Sequence, residues 1–223
     1  MEEHRERIVE AAARLLAGGG PDAVSTRAVS TAAGVQPPTI YRLFGDKQGL
    51  LDAVVVHGFT TYLADKQTVA SADPVEELRA GWDQHVELGL ANPALYTLMY
   101  SRLDKASPAA LAAFGVLAER VRRIAEAGRL RIPEDRAMAL VHAAGHGTTL
   151  TLIATPADRR DPELSTTARE AVVAAITTDA PATGAPGPVA AAVTLRAVLP
   201  ETDVLTEPER GLMCEWLDRI ANS

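Results

Sequence analysis

The sequence predicts an all-α protein in which a three-helix head at the N-terminus precedes a larger helical body. Three observations predict it. Aliphatic side chains recur at helical spacing along most of the chain. Four helix starts set an N-capping residue directly before a proline: Asp73-Pro74, Asn92-Pro93, Ser107-Pro108 and Asp161-Pro162. No segment shows the period-two alternation of a half-buried strand, and no internal repeat is visible.

In the head, Ile8, Val9, Ala12, Leu15 and Leu16 share one face of a first helix, which the run Gly18-Gly19-Gly20-Pro21 ends. Ser25 is a good N-cap for a second helix carrying Ala28, Val29 and Ala32 at helical spacing. Gly34 permits the positive φ of a sharp exit, and Val35 can pack into the corner. Gln36-Pro37-Pro38 opens a third helix, where proline is tolerated because first-turn N–H groups have no intrahelical partner. Ile40 and Leu43 then face inward, leaving Thr39, Tyr41 and Arg42 largely outward. This is a helix-turn-helix, whose second helix enters the major groove of DNA by its N-terminal end.

At these residues the chain resembles the TetR family of bacterial transcriptional regulators. The resemblance rests on Thr26-Arg27, Ala33-Gly34-Val35, Gln36-Pro37-Pro38-Thr39-Ile40-Tyr41, Phe44 and Asp46-Lys47 leading into Leu50-Leu51. It implies a DNA-binding domain over residues 1–47 and a ligand-binding and dimerisation domain over 48–223. It also implies a homodimer on a palindromic double-stranded operator, acting as a repressor and released by a small-molecule inducer. The helix expected over 46–66 would couple the two domains by changing the tilt of the heads. The paired prolines vary the common family pattern, so the operator sequence cannot be copied from a relative.

Side-chain chemistry divides the roles within the head. The guanidinium fork of Arg27 suits a guanine edge, and the family uses a matching position that way. Gln36 could pair with adenine, while Pro37 and Pro38 offer apolar surface to thymine methyls. Thr26, Thr39, Tyr41 and Lys47 suit phosphates, which position a head without reading sequence. Arg42 could do either. Tyr41 has an alternative as a packed core aromatic.

After the head, Asp46 caps a long helix with Leu50, Leu51, Val54, Val55, Phe59, Tyr62 and Leu63 inward. Asp73 with Glu76 has capping-box spacing. Pro133 begins a helix that runs into the uncharged stretch Ala137–Ala157. That stretch is long enough to suggest a membrane span, but His142, His146, several threonines and two glycines favour a bundle or interface helix, with no membrane involved. Ala139, Ala143, Gly147 and Leu150 there, with Ala171, Ala174, Ala175 and Ile176 on the 162–178 helix, offer a small-residue face for a four-helix dimer interface. Ala180–Pro188 reads as a linker. A helix follows over Pro188–Leu199, and Thr206-Glu207-Pro208-Glu209 forms a capping box before a stripe of Leu212, Met213, Trp216, Leu217 and Ile220.

Trp82, His85, Tyr100, Phe114, His146 and Thr149 are candidate lining for a small, mostly apolar ligand, although each could equally be core. His142 and His146 have a spacing that can hold a metal, but no third ligand is evident, so no metal or cofactor is expected. No nucleophile–base pair, phosphate-binding glycine loop or paired metal carboxylates appears, so an enzyme is not expected. Two other classes stay open: a DNA-binding regulator that senses no small molecule, and an all-α enzyme with a vestigial head.

The net charge of −7 hides an asymmetry: residues 1–50 hold six basic and six acidic groups, leaving 16 of 22 basic and 23 of 29 acidic groups for the body. That balance disfavours non-specific coating of nucleic acid and points the acidic body away from DNA. Cys214 is the lone cysteine and can form no intramolecular disulfide, which fits a reducing cytoplasm. Met1-Glu2-Glu3-His4 begins no signal peptide.

Overall fold

A computed structural model describes residues 2–65, 71–100, 108–178, 187–201 and 203–222. The side chains of Tyr62 and Leu63, the cap Ser107 and most of the 180–188 linker lie outside the described residues. Among the described residues there are eleven α-helices: α1 (Glu2–Ala23), α2 (Thr26–Ala33), α3 (Pro37–Phe44), α4 (Lys47–Asp65), α5 (Pro74–Ala91), α6 (Pro93–Tyr100), α7 (Pro108–Glu126), α8 (Glu134–Ala154), α9 (Leu164–Ile176), α10 (Pro188–Val198) and α11 (Glu207–Ala221). The fold is all-α, as the helical spacing predicts. Packing groups the chain into two compact units, residues 1–69 with 87–114 and residues 70–86 with 115–223.

The first unit holds the head. Its core joins Ile8, Val9, Ala12 and Leu16 of α1 to Val29, Ile40, Leu50 and Val54, with Leu95 and Leu98 of α6 packed against it. Gly20, at φ 68 and ψ −170, breaks α1 where the triple glycine predicts. In α2 the buried face is Val29, Ser30 and Ala33, and Ala32 is exposed, which corrects the expected phase. A helix this short takes its inward face from its neighbours, here α1 and α3, more than from its own pattern. The inward residues of α4 follow expectation: Leu50, Leu51, Val54, Val55 and Phe59 are all buried.

In the second unit, α8 packs on α9 and α10 on α11. The turn after α7 meets the end of α9 through one antiparallel bridge, Leu130 with Thr177. Asp73 caps α5, its carboxylate accepting the Val75 N–H at 2.8 Å. The reciprocal half of that box is absent, because Ser71 Oγ accepts the Asp73 N–H while Glu76 pairs with Arg79 one turn on. Asp161-Pro162 forms a turn, with Asp161 accepting the Glu163 N–H at 2.9 Å, so α9 starts two residues later than expected. The Thr206–Glu209 box does form, Thr206 donating both its N–H and its hydroxyl to Glu209. On α11 the expected stripe splits. Leu217 is buried, whereas Leu212, Trp216 and Ile220 are exposed, since a helix lying on α10 alone buries only one sector.

Among the described helices, α8 alone is long and apolar enough to cross a membrane by length and composition.

Candidate nucleic-acid interface

The α2–α3 pair is built by short-range bonds that the sequence announces. Ser25 Oγ accepts the Ala28 N–H at 3.1 Å, satisfying a first-turn donor of α2. Gly34 sits at φ 64 and ψ 38, and its N–H returns to the Ser30 and Thr31 carbonyls. A side chain at that φ would be strained, so the turn requires glycine. Pro37 and Pro38 occupy the first positions of α3, and Ile40 is buried. A second glycine is needed for space rather than for φ. A Cβ on Gly49 would lie 2.0 Å from the Phe44 carbonyl oxygen, so α4 can approach the end of α3 this closely only without one. Asp46 Oδ1 accepts the Gly49 N–H at 2.8 Å and starts α4 there.

Among the residues expected to meet DNA, Arg27, Gln36, Pro37, Pro38, Tyr41, Arg42 and Lys47 are exposed, and Thr26 and Thr39 are half-buried. Tyr41, 53% exposed, is not a core aromatic. These residues gather on α2, on α3 and at the start of α4, a surface with three cations. The only acid within 26–47 is Asp46, whose carboxylate is engaged in capping. Such a surface can accept phosphate oxygens and present Arg27 and Gln36 to base edges.

Three residues of this assembly had no role in the sequence reading. Besides Gly49, they are Arg5 and Arg7 of α1. Arg5 Nη1 donates to the Leu43 carbonyl at 3.1 Å, and its guanidinium lies 4.7 Å from the centre of the Phe44 ring. Arg7 Nε donates to the Ala33 carbonyl at 3.0 Å. A glycine inside an otherwise helical run was an available signal for Gly49. Nothing local marks the arginines, whose partners lie 38 and 26 residues away.

The expected ligand residues fall in both units. Trp82, His85, His146 and Thr149 belong to the second unit, Tyr100 and Phe114 to the first. Trp82 is buried, with Nε1 donating to Ser165 Oγ at 3.1 Å. Gly145 lies against Trp82 and His85, where an added Cβ would be 3.5 Å from the indole. Thr149 is fully buried and donates to the Gly145 carbonyl at 2.8 Å. Burial, then the neighbouring charges of His142 and His146, lowers the His85 imidazole to about 4. The rings of His142 and His146 stack at 5.7 Å, and burial lowers both. In the first unit, Tyr100 lies 5.0 Å from Tyr96, and burial pushes its phenol up to about 12.

Residues 8–54 match the model of the tetR family of bacterial regulatory proteins, a span that contains the whole helix-turn-helix. Solved structures share the fold. A protein of unknown function from Rhodococcus sp. RHA1 is 24% identical, with a TM-score of 0.65 over 78% of this chain and 96% of that one. A TetR transcriptional regulator from Streptomyces coelicolor is 22% identical, with a TM-score of 0.61 over 77% of this chain and 92% of that one. The fatty acid degradation regulator FadR from Bacillus halodurans is 17% identical, with a TM-score of 0.61 over 76% of this chain and 94% of that one. No curated protein matches the chain.

Proposed function

We propose that this chain, a transcription regulator of the TetR family by its DNA-binding head, is a cytoplasmic ligand-responsive repressor that binds a near-palindromic operator as a homodimer. The observation that carries the proposal is the exposed surface of Arg27, Gln36, Tyr41, Arg42 and Lys47 on a helix-turn-helix. Residues 1–47 bind DNA, while residues 48–223 bind ligand and dimerise. Arg27 and Gln36 read base edges, Pro37 and Pro38 meet thymine methyls, and Thr26, Thr39, Tyr41 and Lys47 hold phosphates. Arg42 serves either role. One head offers few contacts, and two-fold symmetry doubles them.

Exposure in the single chain supports dimerisation through α8 and α9. Ala139, Leu140, Ala143, Gly147 and Leu150 are exposed on α8, as are Ala171, Ala174 and Ala175 on α9. Small side chains let a second copy of these helices approach closely. Ile176 does not join this face, because it is fully buried within its own chain.

The ligand is a small, mostly apolar molecule bound near Trp82, His85, His146 and Thr149. A His85 that stays neutral at pH 7 suits an uncharged partner. Release of DNA requires that the ligand bind the DNA-incompetent arrangement more tightly, with a typical coupling of about 1–3 kcal/mol. No enzymatic role is proposed.

Selection of bound sequences from random DNA, followed by a ligand screen against the selected operator, tests this reading. Trp82 emission reports binding once the exposed Trp216 is replaced by Phe. Recovery of no enriched sequence would overturn the operator; a ligand that saturates the body without changing operator affinity is not the inducer.

A further inference from the structure

We propose that Arg5 and Arg7 are positioning residues for DNA reading, which set the pose of the helix-turn-helix from behind without touching DNA. The inference rests on the reading of α3 as the DNA-reading helix. A helix leaves its last carbonyls without intrahelical partners, and a cation near that end is favoured by the helix dipole. Each arginine meets one such carbonyl. Leu43, near the end of α3, receives the Arg5 guanidinium at 3.1 Å, and Ala33, the last residue of α2, receives Arg7 at 3.0 Å.

The two contacts differ in what they fix. Arg5 also lies over the Phe44 ring at 4.7 Å, so one planar group holds a carbonyl and a ring face together. That restrains α3 in rotation as well as in distance. Arg7 takes the one carbonyl that the Gly34 turn leaves over, since the Gly34 N–H returns to Ser30 and Thr31 and the Val35 N–H to Ser30. α1 therefore grips the C-terminal ends of both helices, leaving their outer surfaces free. Bidentate contacts to base edges tolerate little misplacement, whereas a flexible lysine can follow a phosphate. Loosening the grip should therefore cost sequence-specific binding more than general affinity.

The test compares Arg5→Gln, Arg5→Lys and Arg7→Gln with Arg14→Gln, all in the full-length chain. Arg14 lies on the same helix and pairs at 3.9 Å with the neighbouring, exposed Glu10. It therefore controls for loss of charge. Affinity is measured for the selected operator and for random duplex across a salt series, at a temperature where circular dichroism shows each variant folded. Arg5→Gln and Arg7→Gln should lose about tenfold on the operator, the scale of one base contact, with random-DNA affinity and salt slope matching Arg14→Gln. Arg5→Lys keeps the cation and should recover part of the loss. Equal losses on operator and random DNA with a reduced slope would make the arginines phosphate contacts and overturn the proposal. Unchanged operator affinity in both Gln variants would overturn it too. If the unmodified chain selects no operator, the underlying reading has failed instead.

Discussion

Lys47 Nζ donates to the Pro21 carbonyl at 3.3 Å, so the cation that opens α4 rests against the turn leading into α2. The bond is solvent-exposed, and such a contact is easily exchanged for a phosphate oxygen. It parks the side chain beside the surface where DNA is expected.

Lys47→Ala should therefore weaken binding about equally on operator and random DNA. The slope of log affinity against log salt should fall by about 1, the signature of one lost phosphate contact. Tyr41→Ala should also weaken all sequences alike, since Tyr41 is 53% exposed and its removal leaves the core intact. Fluorescence anisotropy over a salt series checks both. A loss confined to the operator would move either residue to base reading.

Arg27→Ala should behave differently. Loss of a bidentate base contact should cost about 1–3 kcal/mol on the operator and relax the preference at one base pair of each half-site. Repeating the random-DNA selection with the variant would display the relaxed position. Equal loss on operator and random duplex would remove Arg27 from that role.

Ala143→Glu should give a folded monomer that fails on the palindrome. Ala143 is exposed in the single chain, between Leu140 and Leu150 on the same stretch of α8. The substitution should leave the monomer core intact but bury a charge at a two-fold contact. Sedimentation would report the mass. A persistent dimer would place the interface elsewhere, with the exposed Leu212, Trp216 and Ile220 of α11 as the next surface to examine.

Stability should fall in mild acid because of His85. Its folded-state value is about 4 against an ordinary 6.5, so across that window the unfolded chain takes up a proton that the folded chain refuses. Stability is full above pH 6.5, declines as the pH falls towards 4, and stops declining there, once both states are protonated. The loss is at most about 3 kcal/mol. His85→Gln should flatten this part of the profile in denaturant titrations. An unchanged slope would mean that other groups cause the acid sensitivity.

What the sequence determined alone lies within a few residues of itself. Gly20 breaks α1, Ser25 caps α2, Gly34 turns the chain, and Thr206 meets Glu209, each through a bond or torsion set by adjacent residues. Those interactions survive any packing that keeps the helices, and they made both the all-α class and the helix-turn-helix legible. The same kind of signal failed where a competitor lay close by. Glu76 turns to Arg79, which also reaches Glu170 on α9, and the Asp73 box stays half-formed. Tertiary structure alone decided which apolar residues are covered. Trp216 looks like Leu217 in a helical stripe, yet one is exposed and the other buried, because α11 rests on α10 along a single sector. It also decided the partners of Arg5 and Arg7. No local pattern encodes a guanidinium meeting a carbonyl 38 residues away; only the packing of α1 behind the helix-turn-helix brings the two within bonding distance.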